Sequence, residues 1–430
     1  MVERSTHITQ APSGQAAHSG SAGNPADRLA LAARVARRVR AGLPLLGILV
    51  VASNLRAPLS GYPPLLATVR ADLGLSSGLA GCVQAAAVLA MSVGSFAGAR
   101  IAARFGSERA LGAAVGVVGF GSLLRAVPAL PALVGGTTLV GLGIGTAGVF
   151  LAGVVRARFA SRAGALTGGY VVAMVLGAAV SSALAVPLAV WLGGWSLSLA
   201  LWAVPALLAA GGWAAAHAVR ARRERADSPA SKVRAAAAGP GRRAEWTPLA
   251  RASACYLAGA SLTVYGWMTW LAPYYQSLGW PPASAGLLLG VWSLAQVPAA
   301  LVPALAERRR RWSFWAVLVL GGGVLGTVGV LVAPSPPVIG PWLWVVLIGF
   351  SGAAFPLGLT VIAWRSPDSA ASAATSGLAM GVGYTVAGLG PLVMGVVVDL
   401  TGGYRVAILV LLAAAALQAW AIRRIGDGSR

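Results

Sequence analysis

Residues 42–68 read GLPLLGILVVASNLRAPLSGYPPLLAT, an almost wholly apolar run with one charge, Arg56, near its middle. The run exceeds the roughly 20 residues an α-helix needs to cross a hydrocarbon core of about 30 Å. It therefore reads as a membrane-spanning helix. Eleven similar runs follow, at 76–99, 110–124, 131–154, 163–188, 195–216, 252–275, 283–305, 312–333, 340–363, 371–396 and 406–422. Composition agrees: 57% of the 430 residues are hydrophobic and 10% charged, against about 25% charged in a soluble domain. Such a chain cannot clothe a water-facing surface. Cys82 and Cys255 both lie in apolar runs, so no disulfide framework is expected.

The polar, Ser/Ala/Gly-rich residues 1–41 turn basic toward their end and read as a disordered cytoplasmic tail. The apolar run behind them is too long for a signal-peptide core, and no small-residue cleavage site follows it. A second polar stretch, 217–251, holds nine basic and three acidic residues and reads as a cytoplasmic linker. It separates an N-terminal six-helix bundle at 42–216 from a second one at 252–422, and residues 423–430 form a short cytoplasmic tail. The formal charge of +22 could suggest nucleic acid, but that needs basic residues clustered on a folded face. Here 29 of the 33 basic residues fall in the tails or in connectors on the tails' side, and three (Arg70, Arg125, Arg405) on the opposite side. Positive charge gathers on the cytoplasmic side of a membrane, which places both termini there and excludes nucleic acid as a partner.

The halves resemble each other. Residues 73–81, LGLSSGLAG, align with 278–286, LGWPPASAG, at an offset of 205 that also pairs Arg104 with Arg309. An offset of 209 pairs Arg156 with Arg365 and Gly168 with Gly377. The expected fold is an all-α membrane protein of twelve transmembrane helices in two six-helix pseudo-symmetric bundles. Duplications of this kind build alternating-access carriers, with the substrate site near the midplane between the halves.

Arg56 is the one basic residue that this distribution leaves inside a span. All eleven acidic residues fall outside the spans or at their ends. A central arginine costs about 2.5–3.5 kcal/mol on insertion scales, and no helix offers a carboxylate to offset it. The guanidinium must face a polar cavity, backbone carbonyls or a transient anion, and its planar fork suits small oxyanions and pseudohalides. Helical spacing puts Ser53 and Ser60 on its face. Asn54 points about 160° away at about 100° per residue and fits packing or a hinge. Pro58, Pro63 and Pro64 would loosen the helix and free carbonyls. A structural alternative has Arg56 locking helices together through carbonyls.

Asn54-Leu55-Arg56-Ala57-Pro58-Leu59 followed by Pro63-Pro64-Leu65-Leu66 resembles the first-helix signature of the cyanate permease and 2-nitroimidazole transporter branch of the major facilitator superfamily. Similar matches are 70–76 (RADLGLS), 166–170 (LTGGY), 377–384 (GLAMGVGY), Gly390-Pro391 and 399–403 (DLTGG). The resemblance covers about residues 42–422. It implies a multi-pass plasma-membrane permease for small anions or small polar organics, acting as a monomer because each superfamily chain contains its own pathway. One departure stands in the loop after the second helix. The superfamily's G-x-L-x-D-R-x-G becomes Ala99-Arg100-Ile101-Ala102-Ala103-Arg104-Phe105-Gly106. Ala103 occupies the acidic position, so a gate that involves Arg104 cannot use the usual charge relay.

Further candidates for the cavity wall are Gln84, an amide at depth, and Tyr170, which shares a face with Thr167 and Met174. Trp267 and Trp270 fall on a seventh-helix stripe with Thr263 and Tyr274; Tyr274 and Tyr275 also suit an interfacial belt. Gln296 and Tyr384 complete the set. Gly383 and Pro391 fit close packing and bending. Walker loops, intramembrane carboxylate pairs and His/Cys clusters are missing from the sequence, which argues against ATP-driven pumping, an enzyme, a metal or a cofactor. The expected function is secondary transport of a small anion, cyanate- or nitrite-like or a small carboxylate, held by Arg56. The alternative is export of neutral small organics such as nitroimidazoles or drugs.

Overall fold

The computed structural model describes residues 46–158, 163–227, 245–309, 311–334 and 340–426. The tail expected at 1–41, residues 228–244 of the linker expected at 217–251 and residues 427–430 of the short tail expected at 423–430 lie outside the described residues.

Twelve helical rods account for nearly all of what is described, and no strand occurs among the described residues. The first, α1, is interrupted twice: 46–54, Ala57–Ser60 and Tyr62–Leu73. There follow α2 (Ser77–Phe105), α3 (Ser107–Leu124), α4 (Leu130–Arg158), α5 (Ala163–Leu192) and α6 (Trp195–Ala200 and Ala203–Asp227). After the linker come α7 (Pro248–Ser277), α8 (Pro282–Leu294, Gln296–Ala299 and Val302–Arg309) and α9 (Trp312–Val332). The last are α10 (Gly340–Phe350, a 3₁₀ turn at Ser351–Ala353, Ala354–Arg365), α11 (Ser369–Thr401) and α12 (Tyr404–Ile425). Nine of the described helices are long and apolar enough to cross a membrane. The remaining rods fall short for local reasons: prolines cut α1 into pieces, α3 begins with Glu108 and Arg109, and α7 is rich in hydroxyl and aromatic side chains.

Local chemistry sets the ends. Thr247 caps α7 by accepting the Ala250 amide at 3.1 Å, with Pro248 in the first turn, so this helix starts inside the expected linker. At the other edge α6 runs on to Asp227 through Ala, Arg and Glu, all good helix formers. α1 closes on Gly74 in the left-handed region, at φ 62°, where a side chain would be strained.

Association rests on small residues. A Cβ on Gly141 or Gly145 of α4 would run into the Ala87 or Met91 carbonyl of α2. The two halves of the chain meet in the same manner. α2 lies along α11, where Gly81 abuts the Pro391 carbonyl, and α5 lies along α8, where a Cβ on Gly286 would stand 2.7 Å from the Ser182 carbonyl. At the end remote from the termini polar contacts cross between halves. The Ser77 and Gly78 amides donate to the Asp399 carboxylate at 2.8 and 2.7 Å, and Gln276 Nε2 donates to the Pro64 carbonyl at 2.9 Å. Toward the terminal end there is open space beside Gly168 and Gly377.

Gly141→Leu should therefore lower the melting temperature in detergent by several degrees, since overpacking costs about 1–3 kcal/mol. Gly148→Leu, on the same helix but facing open space, should not; equal effects would contradict the packing.

Candidate functional site

Three irregular helix segments converge on one cavity. In α1, Pro58 supplies no N–H for the Asn54 carbonyl, and the chain leaves helical geometry at Arg56 (φ −130°, ψ −30°). In α8, Pro298 does the same beyond Leu294, and the helix is interrupted on either side of Gln296–Ala299. In α10, Pro356 follows the 3₁₀ turn and leaves the Gly352 carbonyl without its helical donor. The cavity has a volume of about 220 Å³, and Arg56, Gln296 and Gly352 line it from these three segments.

Arg56 is half-buried, and its Nη1 donates to Gln296 Oε1 at 3.0 Å. That bond joins α1 in the first half to α8 in the second. Gln296 Nε2 and Ser261 Oγ are buried with no partner, on residues that belong to the cavity lining. α7 contributes Ser261, Val264 and Tyr265, α5 contributes Val171, Met174 and Val175, and α11 contributes Tyr384. The Tyr384 ring lies against Phe355, with centroids 5.7 Å apart and planes tilted by 36°. Among the described residues no carboxylate lines the cavity and no cluster of metal-ligating side chains occurs. One cation, an amide and hydroxyls inside an apolar and aromatic wall can hold a small acceptor-bearing solute.

The structure thus brings Arg56, Gln296 and Tyr384 together. Tyr170 is half-buried against the hydrophobic core, and the cavity takes Met174, one turn on. Gln84 is wholly buried away from the cavity lining with both amide atoms unpartnered. Trp267 and Trp270 also lie off the cavity: their indole N–H groups donate to Thr327 Oγ1 on α9 at 3.3 Å and to the Pro391 carbonyl on α11 at 3.0 Å. The aromatic stripe of α7 is interhelical packing, and the adjacent face, with Ser261, Val264 and Tyr265 at i, i+3 and i+4, meets the cavity. That triplet is the pattern in the sequence that points to the correct face. Tyr274 and Tyr275 are buried among helices near the far end of α7, and the Tyr274 hydroxyl donates to the Val330 carbonyl at 3.0 Å.

The other candidates fall around the site. Asn54 Nδ2 donates to the Val50 carbonyl at 2.8 Å. The Pro58 carbonyl accepts from Arg125, and Gly383 packs on Ser261 and Leu257. Arg104 is exposed, with its guanidinium 5.5 Å from the Phe105 ring centroid. Ser53 and Ser60 do not share the Arg56 lining, because the break at 55–56 interrupts the rotation that would align them. Arg125, placed by position among the connectors and helix ends of the far side, is wholly buried. Arg56 is therefore not the single arginine inside the bundle.

Twelve rods around a central cavity, closed at one end by contacts between halves, define a membrane transporter. The chain belongs to the Major Facilitator Superfamily, which it matches over residues 46–363. It is 33% identical to the 2-nitroimidazole transporter of Escherichia coli (strain K12) over 363 residues, 84% of this chain and 89% of that one. Identity to the cyanate transport protein CynX of the same organism is 28% over 364 residues, 84% and 91% of the two chains. A crystal structure of a point mutant of the nucleoside transporter NupG shares the fold with a TM-score of 0.68 at 13% identity, covering 89% of this chain and 99% of that one.

Trp270→Phe should lower stability by about 1 kcal/mol through the lost bond to Pro391, read as a melting shift of a few degrees. Gln296→Leu should leave the melting temperature nearly unchanged, because the freed Arg56 group faces the cavity. The reverse order would contradict these placements.

Proposed function

We propose that this transporter carries a small anion, cyanate- or nitrite-like or a small carboxylate, with Arg56 as the group that binds it. The observation that carries the reading is the half-buried Arg56 guanidinium opening into the cavity with Gln296 as its side-chain partner and no carboxylate in the described lining. Such a group holds a positive charge that an entering anion can neutralise, and in this reading the unpartnered Gln296 Nε2 and Ser261 Oγ turn toward it as further donors. Tyr384 closes the aromatic side of the site. In this reading residues 42–216 and 252–422 rock as two bodies about the cavity. The contacts at Asp399 and Gln276 seal the far end while the terminal end is open. In the same reading both termini lie in the cytoplasm, which the charge distribution of the connectors supports, and the chain works as a monomer in the plasma membrane.

A second reading is export of a neutral small organic such as a nitroimidazole. It is favoured by the size of the cavity and by its Tyr265, Phe355 and Tyr384 wall, and by the relative named for 2-nitroimidazole.

Uptake into proteoliposomes by Arg56→Lys and Arg56→Ala proteins that insert normally decides the binding role. The anion reading expects at least a tenfold loss for alanine; unchanged transport rejects it. Competition by cyanate or nitrite against nitroimidazole separates the two substrate classes. Without a carboxylate or histidine in the described lining, transport is proposed to run by facilitated diffusion, exchange or a proton carried on the substrate itself. Strong accumulation of a strong-acid anion driven by a pH gradient would contradict that.

A further inference from the structure

We infer that Arg125 is a positioning residue for the cavity: from its buried seat at the end of α3 it fixes the break in α1 that presents Arg56. Arg125 Nη1 donates to the Pro58 carbonyl at 2.8 Å. Its Nη2 donates to the Leu199 carbonyl on α6 at 3.2 Å and to Ser122 Oγ at 3.3 Å. Nε has no partner, and no carboxylate reaches the group among the described residues.

Burying a guanidinium without an acid is expensive, and an apolar side chain would fill the same volume without that penalty. What only arginine offers here is a rigid fork that reaches carbonyls on two different helices at once. Both carbonyls sit at interruptions: Pro58 in the short turn Ala57–Ser60, and Leu199 just before the gap that divides α6.

The connection to Arg56 is one helical turn long. The Leu59 and Ser60 amides donate to the Arg56 carbonyl at 3.2 and 3.1 Å, so the turn that Arg125 grips is anchored at its other end on Arg56 itself. Ser182 Oγ on α5 donates to the Ser60 carbonyl at 3.1 Å, sharing its proton with the Ala178 carbonyl at 2.9 Å; Pro64 offers the Ser60 carbonyl no amide. The turn is thus held from α3 and α5, and tilting it would swing Arg56 away from Gln296. Within transport this assignment rests on the anion-binding reading of Arg56; its geometric content does not.

The test measures where residue 56 points. In a background with Cys82 and Cys255 replaced by alanine, Arg56→Cys is labelled with 2-sulfonatoethyl methanethiosulfonate, with Arg125 intact or replaced by glutamine. The labelling rate should change at least fivefold. Arg125→Lys keeps the charge but gathers its donors on one nitrogen and loses the fork, and it serves with at least a twofold change if the glutamine protein is not monodisperse. An unchanged rate in a folded variant overturns the positioning role, whatever Arg56 binds. With Arg56 present, Arg125→Gln should also weaken cyanate-dependent thermal stabilisation about tenfold in apparent Kd. A changed labelling rate with unaltered cyanate binding upholds the positioning and counts against the anion reading instead.

Discussion

The hydrogen bond from Arg56 to Gln296, 3.0 Å long, joins the two halves of the chain at the cavity. Its donor is a cation with no carboxylate in the described lining to neutralise it, and its acceptor is an uncharged amide. Prolines put both residues in place. Pro58 breaks α1 beside Arg56, and Pro298 breaks α8 beside Gln296. A straight helix would keep its carbonyls in its own ladder. Here the Pro58 and Ser60 carbonyls are shed toward neighbouring helices, and the side chains leave the uniform spacing of a regular rod. In a bilayer such irregular backbone is tolerated only where protein or water satisfies it. Ser182 and Arg125 perform that service for the carbonyls of Ser60 and Pro58.

The contacts between halves are unequal along the bundle. Glycine against backbone brings α2 onto α11 and α5 onto α8, and at the far end two amides of α2 rest on Asp399. A carboxylate at a helix N-terminus contributes only about 0.3–1 kcal/mol when exposed. In the proposed cycle a seal of this kind can release without unfolding either half. The interior of the halves is different in character, with buried bonds such as Ser198 Oγ to the Ala185 carbonyl in the first and Trp267 to Thr327 in the second.

The apolar runs made the twelve helical rods legible, although only nine of the described helices are long and apolar enough to span, and the proline run in 42–68 made the weakness of α1 legible. Arg56 stood out because an uncompensated charge in hydrocarbon has few structural explanations. The lining face of α7 was not legible. Trp267 and Trp270 look like a pore wall in sequence, yet an indole N–H buries well once a neighbouring helix offers an oxygen, and that oxygen belongs to tertiary structure. Arg125 was hidden for a related reason. Its position after α3 matches a connector or helix-end residue of the far side, and only the prolines of α1 and the gap in α6, far away in sequence, supply the carbonyls that draw it inward. Gln84 shows the converse: it was read from depth alone, and it is deep but off the cavity.

The most direct test of the central claim is an anomalous-difference map from crystals soaked in selenocyanate, a heavy analogue of the proposed anion. A selenium peak inside the cavity bounded by Arg56, Gln296 and Tyr384, lost in crystals of an Arg56→Ala protein, is the expected result. A peak only at connector arginines such as Arg70 or Arg405, with the cavity empty, would contradict the account.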